Sequence, residues 1–220
     1  MILIPVKNLS AAKQRLAAVL DQPARMELAQ TMLHDVVTAI AAWPQHPPCA
    51  LVTGDPFAQD LARQYDFEVI PDPANPGETG AIEMATEFCV AHGIEWTLVI
   101  PADIPLLQAG ELQQILAQAP CEGTVLAPAA DGRGTNAAFR RPANLFPLRF
   151  GNDSFKPHLA AAQSTGKPCV VLQLPHLGVD VDNPEDLQPL LAHSGETQTQ
   201  SLLRKWASDG RFPAPGRQAV

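Results

Sequence analysis

Asp103 ends the apolar run Leu98-Val99-Ile100 and stands between Pro101 and Pro105. A carboxylate held on a stiffened backbone just past a buried strand suits a hard divalent cation such as Mg²⁺, which takes oxygen ligands and keeps several waters. VDVDNPED places Asp180 and Asp182 after another short apolar run, and one of them is a second candidate ligand for the same ion. Lys7, Lys13 and Arg15 crowd PVKNLSAAKQRL, a local excess in a chain with 15 Lys and Arg in all. Such a group can grip a triphosphate, the arginine through bidentate contacts and the lysines as point charges. In DGRGTNAAFR, Thr135 and Asn136 follow two glycines that let the backbone approach a ligand. In FGNDSFKPH, Gly151 and Ser154 precede a helical stretch whose first amides can receive an anion, with Lys156 and His158 placed to assist. The chemistry these residues suit is the binding and transfer of phosphate groups. Taken singly, each has an ordinary structural alternative: a turn aspartate, a solvated basic turn, a Gly-rich strand connection, a helix capped by Asp153 or Ser154, and an N-cap at Asp182 ahead of Asn183-Pro184.

The elements that must position these residues alternate between strand and helix. MILIPV, PCALVT, FEVIP, TLVIPA, GTVLAPA, NAAFR and KPCVVLQL read as strands. Ala29, Met32, Leu33, Val36, Val37 and Ile40 form one apolar stripe at helical spacing, with Asp21 and Pro23 as its start signals. Asp55-Pro56 opens a second helix reaching Tyr65, a third runs from Ala81 to about Ala91, and Leu112, Ile115 and Leu116 mark a fourth. Leu187, Leu190 and Leu191 stripe a late one. Between the third strand and the third helix, PDPANPGETG is a loop by its turn residues. The alternation predicts an α/β fold with a mostly parallel sheet covered on both faces, in which ligands bind beyond the carboxyl ends of the strands. Residues 1–193 are expected to form one domain, followed by a polar extension over residues 194–220 in which LLRKWA can pack back as an amphipathic turn.

Composition narrows the class. The 220 residues are 46% hydrophobic, enough for a full core, and the formal net charge of −8 argues against a nucleic-acid partner. Cys49, Cys89, Cys121 and Cys169 are widely spaced with no C-x-x-C pair, so reduced thiols are expected rather than disulfides or zinc ligands. Neither a leader of secretory type nor a membrane-spanning run is apparent, which points to a cytoplasmic protein. The dinucleotide fingerprint G-x-G-x-x-G does not follow the first strand, and the P-loop pattern G-x-x-x-x-G-K-[ST] is not found. A phosphatase with Asp103 as nucleophile would want a second acid where Pro105 stands.

In this order and spacing, PVK with AKQRL, PADIPL, GTNAAF, FGNDSFKPH and DVDNPEDL resemble the CofC/FbiD family, the guanylyltransferases of coenzyme F420 biosynthesis. The resemblance covers nearly all of residues 1–191. It implies a Rossmann-like, mixed, mostly parallel seven-stranded sheet of the nucleotide-diphosphosugar transferase type. It also implies a reaction in which the phosphate of a small acid attacks the α-phosphorus of GTP and pyrophosphate leaves. The acid would be phosphoenolpyruvate, 2-phospho-L-lactate or 3-phospho-D-glycerate. On this resemblance Asp103 and an aspartate of the Asp180/Asp182 pair hold Mg²⁺, and Lys7, Lys13 and Arg15 meet the triphosphate. Thr135, Gly151 and Ser154, with Asn136 and His158 beside them, hold the acid, while Thr53, Gly77 and Thr79 lie on the nucleotide side. Where the family reads close to GLNAAL, this chain reads GETGAI, so that Thr79 replaces an asparagine and Glu78 adds a negative charge. The alternatives are a nucleotidyltransferase for a sugar phosphate or a pterin cofactor, against which the missing Gly-rich opening loop counts, and a non-catalytic GTP-binding module. The polar tail is a candidate homodimer contact.

Overall fold

Seven apolar segments become strands: β1 (Ile2–Val6), β2 (Cys49–Thr53), β3 (Glu68–Pro71), β4 (Thr97–Val99), β5 (Gly123–Pro128), β6 (Thr135–Arg141) and β7 (Cys169–Val171). In the computed structural model, which describes residues 1–74, 77–151 and 153–211, they form one sheet in the order β3-β2-β1-β4-β6-β5-β7. Neighbours run parallel except where β6 lies antiparallel to β4 and to β5. The reversal matters for the site. It brings the first residues of β6, Thr135 and Asn136, to the sheet edge where β1 and β4 end. This is the mixed, mostly parallel α/β sheet expected from the sequence.

The helices are α1 (Gln22–Ala41), α2 (Pro56–Gln64), α3 (Glu78–Ala91), α4 (Ala109–Ala117), α5 (Phe155–Ser164), α6 (Leu187–Ala192) and α7 (Gln198–Ser208). Asp21 caps α1 through the Ala24 amide at 2.9 Å, and Asp55 caps α2 through the amides of Phe57 and Ala58. The strand period of two divides the core. Ile2, Ile4 and Val6 face one apolar cluster with Leu33, Val37, Leu61 and Ile115, whereas Leu3 joins Ile82, Ala85 and Ala162 on the other face. β1, β2 and β4 are buried throughout, as parallel strands covered on both faces must be. Cys49 and Cys89 are buried in these layers, and all four cysteines are free. Among the described residues no helix is long and apolar enough to cross a membrane.

One expectation changes at the start of the third helix. α3 begins at Glu78, one turn before Ala81, because Gly77 takes φ +91° and forms its N-cap, so Glu78 and Thr79 belong to a helix rather than to a loop. Within the polar extension from Ser194, LLRKWA packs back onto the body as part of the longer helix α7. α7 is anchored by Asp35 of α1, whose carboxylate accepts the Gln198 and Thr199 amides at 2.9 and 2.8 Å and the Thr199 hydroxyl at 2.6 Å. Its Leu203 and Trp206 are buried in a third cluster with Leu16, Met32, Leu106, Val181 and Leu190. The segment is polar by count because only the inner stripe of this helix is apolar. The end of the chain from residue 212 onward, expected to fray, lies outside the described residues. Truncating Trp206 removes a fully buried indole, so Trp206→Ala should cost about 3–5 kcal/mol in a urea unfolding series; an unchanged midpoint would detach α7 from the cooperative core.

Candidate active site

A cavity of about 600 Å³ opens at the carboxyl edge of β1 and β4. Lys7, Lys13, Arg15, Asp103, Thr135, Asn136, Gly151, Ser154, Asp180 and Asp182 all line it. The charged residues among them arrive on three segments. The chain after β1 runs through a short 3-10 turn (Leu9–Ala11), then reaches Lys13 in a left-handed backbone conformation at φ +53°. Asp103 follows β4, and the Val181 amide donates to the Asp103 carbonyl at 3.2 Å, which docks the Asp180–Asp182 segment beside it.

The segments meet at Lys13. Its ammonium lies 2.6 Å from Asp103 Oδ2 and 3.0 Å from Asp182 Oδ1, and Arg15 reaches the other oxygen of Asp182 at 3.4 Å. Burial works against the Lys13 charge, yet Asp103 and then Asp182 outweigh it and raise the pKa. Asp182 is also desolvated, but Lys13 and Arg15 hold its carboxyl below the ordinary range. Asp180 fares differently. Desolvation pushes its carboxyl up to about 6, with Asp103 and Asp182 adding to the rise and a hydrogen bond from Asn136 at 3.1 Å opposing it. The Asn136 amide also donates to the Leu177 carbonyl at 3.0 Å, which fixes its orientation.

On the opposite wall, Ser154 stands at the N-cap of α5 without using its hydroxyl to cap the helix; the hydroxyl lies 3.3 Å from Thr135 Oγ1 instead. Gly151 adopts φ +142°, which a side chain would strain, and keeps the wall open at that point. Behind this wall sits His158, buried, with Nδ1 2.9 Å from Thr135 Oγ1 and Nε2 accepting the Arg149 amide at 2.8 Å. His158 therefore supports the wall from behind and does not line the cavity. Lys156 points to the exposed face of α5 and is likewise not among the lining residues.

The three residues expected on the nucleotide side stand outside the lining. Thr53 is buried and accepts the Asp55 amide at 2.9 Å; the Asp55 carboxylate in turn takes the Leu9 amide at 3.0 Å. Thr53 thus steadies the basic segment indirectly. Gly77 caps α3, and Thr79 accepts the Phe150 amide at 2.9 Å and donates to its carbonyl at 3.3 Å. The residue between them, Glu78, does line the cavity, as do Asn8 and Phe150. Glu78 was legible only as an extra negative charge, and nothing in the types of Asn8 or Phe150 marks them. Burial, with Asp103 and Asp182 nearby, pushes the Glu78 carboxyl up to about 7 against the opposing pull of Lys7 and Lys13.

The donor set suits a cation that brings other ligands with it. Among the described residues no group of three or more His, Cys, Asp or Glu side chains is arranged to hold a metal ion. Asp103 and Asp182 nevertheless converge on a single point, the position of the Lys13 ammonium. A magnesium ion is typically held by one or two carboxylates plus substrate phosphates and water, so two acids fit that requirement and a full protein cage is not needed. Cations beside carboxylates at a strand edge, facing a wall of hydroxyls and amides, can bind polyanions and neutralise charge that builds up between them.

Comparison with known proteins agrees with this geometry. Residues 1–217 match the family model described as guanylyl transferase, CofC like. A phosphoenolpyruvate guanylyltransferase of Sphaerobacter thermophilus is 34% identical over 191 residues, covering 87% of this chain and 92% of that protein. A 2-phospho-L-lactate guanylyltransferase of Methanothermobacter thermautotrophicus is 32% identical, covering 92% and 89%. A 3-phospho-D-glycerate guanylyltransferase of Colwellia psychrerythraea is 34% identical, covering 91% and 95%. Among solved structures, a Desulfovibrio desulfuricans protein assigned as a nucleotide-diphospho-sugar transferase superposes with a TM-score of 0.76 at 19% identity, covering 94% of both chains, which shows the shared fold. With a match over almost its whole length and relatives above 30% identity, the chain belongs to the CofC-like guanylyl transferase family.

Proposed function

We propose that the protein is a cytoplasmic, Mg²⁺-dependent guanylyltransferase of coenzyme F420 biosynthesis. It joins the GMP unit of GTP to the phosphate of a small phosphorylated carboxylic acid, phosphoenolpyruvate, 2-phospho-L-lactate or 3-phospho-D-glycerate. An oxygen of the acid's phosphate forms a bond to the α-phosphorus, the bond from that phosphorus to the β-phosphate bridging oxygen breaks, and pyrophosphate leaves with the electron pair. The observation that carries the reading is the convergence of Lys13, Asp103 and Asp182 from three distant segments inside one cavity. The four free cysteines accord with a reducing compartment.

The attacking oxygen is already ionised near neutral pH, so the reaction calls for no general base. Its obstacle is repulsion between a triphosphate and an anionic attacker, and catalysis rests on in-line placement and charge neutralisation. Lys7 and Arg15 approach the triphosphate from the basic segment, while Lys13 holds Asp103 and Asp182 in register. When bound by Asp103 and Asp182, Mg²⁺ would supply charge neutralisation at the phosphates. Thr135, Asn136, Gly151 and Ser154 form the wall for the acid.

His158 sets the direction of the Thr135 hydroxyl. Because His158 Nε2 accepts the Arg149 amide, the ring proton resides on Nδ1 and is donated to Thr135 Oγ1. That leaves the Thr135 proton free to donate to an anionic oxygen of the acid. The arrangement requires a neutral ring, and desolvation with the nearby Arg140 charge lowers the His158 pKa to about 4.

Pyrophosphate release with GTP, ATP or CTP against each of the three acids tests the reaction; release with GTP and at least one acid is expected, and none with any pair would overturn it. In the same assay Asp103→Asn should lower turnover about a hundredfold or more, and unchanged turnover at saturating Mg²⁺ would remove Asp103 from the machinery. His158 gives a stability prediction. Its folded pKa lies below the unfolded value near 6.5, so between these values the unfolded chain binds the extra proton, and stability present above pH 6.5 is lost as pH falls toward 4. Urea unfolding at pH 7 and pH 5 should show this loss, on the order of 2 kcal/mol, in the parent and a smaller one in His158→Gln; equal losses would deny the ring its neutral role.

A further inference from the structure

Four carboxylates line the cavity, and three have partners. Asp103 and Asp182 share Lys13, and Asp180 takes the Asn136 amide. Glu78 differs: among the described residues its carboxyl receives no hydrogen bond and forms no ion pair. The residue is half-buried and lines the cavity. A desolvated carboxyl without a partner is costly, and such groups are normally satisfied by a ligand or water.

Its place in the wall indicates which ligand. The next residue, Thr79, is hydrogen-bonded in both directions to Phe150, and Phe150 immediately precedes Gly151. The first turn of α3 is therefore clamped to the wall formed by Gly151 and Ser154, and Glu78 stands between that wall and the cluster of Lys7, Lys13, Asp103 and Asp182 whose charges act on it. The acid's phosphate and carboxylate are both anionic, and neither gains from facing another carboxylate. A neutral hydroxyl does gain, because it can donate its proton to the Glu78 oxygen. Phosphoenolpyruvate and 2-phospho-L-lactate have no free hydroxyl, whereas 3-phospho-D-glycerate has one on the carbon between its carboxylate and its phosphate-bearing carbon.

We propose that Glu78 determines acceptor specificity by accepting a hydrogen bond from the free hydroxyl of the phosphorylated acid, so that the preferred acceptor is a hydroxylated acid of the phosphoglycerate type. The inference rests on the guanylyltransferase reading and adds the choice among its acceptors. A site that presents a desolvated acceptor to a substrate hydroxyl discriminates strongly against analogues lacking it, because the analogue leaves that group unpaired.

The test compares kcat/KM for 3-phospho-D-glycerate and phosphoenolpyruvate, at saturating GTP, in the parent protein, Glu78→Gln and Glu78→Leu. The parent should favour the hydroxylated acid. Glu78→Leu should reduce that preference by about 10- to 100-fold, mainly through the hydroxylated acid, with the KM for GTP unchanged. Glu78→Gln keeps an accepting oxygen and should retain part of the preference. Calorimetric binding of the two acids, without turnover, should show the same ordering and serves any variant with low activity. A parent that favours phosphoenolpyruvate, or a preference unmoved by Glu78→Leu, overturns the proposal. So does an effect confined to the KM for GTP and reproduced by 2′-deoxy- or 3′-deoxy-GTP, which would place Glu78 on the ribose. Equal losses for both acids would mean that Glu78 donates a proton to an oxygen they share, and would also overturn it. Failure of the parent to transfer guanylyl to any acid would instead strike the functional reading, and the calorimetric ordering would still decide whether Glu78 reads the hydroxyl.

Discussion

Lys13 holds the site together. Its ammonium pairs with carboxylates 90 and 169 residues farther along the chain, and its side chain is only 9% exposed. Removing one member of such a buried group leaves an uncompensated charge behind, so the three side chains are energetically coupled and their segments are held in one relative position. Lys13 occupies the point on which both carboxylates converge. A cation held by both Asp103 and Asp182 would therefore have to take the place of the ammonium. The same lysine thus organises the two carboxylates before any ligand arrives.

The charges depend in turn on an apolar layer. The third hydrophobic cluster takes a residue from each of the three segments that meet at Lys13: Leu16 beside Arg15, Leu106 three residues after Asp103, and Val181 between Asp180 and Asp182. Val181 is fully buried while its acidic neighbours face the cavity, an in-and-out alternation that lets one apolar side chain fix two polar ones. Leu203 and Trp206 complete that cluster from α7. A helix remote in sequence from every charged group of the site therefore packs beneath it, and its stability is part of the site's geometry.

Much of this was legible in the sequence because the signals were local. Apolar runs marked the strands, the Asp-Pro pair and the aspartate ahead of Pro23 marked two helix starts, and the carboxylates after β4 and β7 announced themselves by position. What stayed hidden depends on contacts across the chain. Thr53 and Thr79 carry hydroxyls suited to a ligand, yet both are engaged with protein amides at Asp55 and Phe150. His158 has the chemistry of a binding residue, but burial behind Thr135 makes it a support. Period and residue type say which side chains can do chemistry; they do not say which have already been taken by a neighbour folded in from elsewhere.

The reversed strand β6 explains why the wall of hydroxyls and amides stands where it does. In a sheet with every strand parallel, the start of a strand lies at the edge opposite the site, and Thr135 and Asn136 would be carried away from Asp103. Reversal places them beside the ends of β1 and β4, and the hairpin from β5 brings Gly134 to the same edge. Asn136 then reaches Asp180, and Thr135 meets Ser154 at the start of α5. One change of strand direction thereby converts a parallel sheet with a single ligand edge into a two-sided cleft, with cations and carboxylates on one side and hydroxyls and amides on the other. A reaction between two anionic phosphates needs both: a place where charge is neutralised, and a wall that holds the attacking group in line.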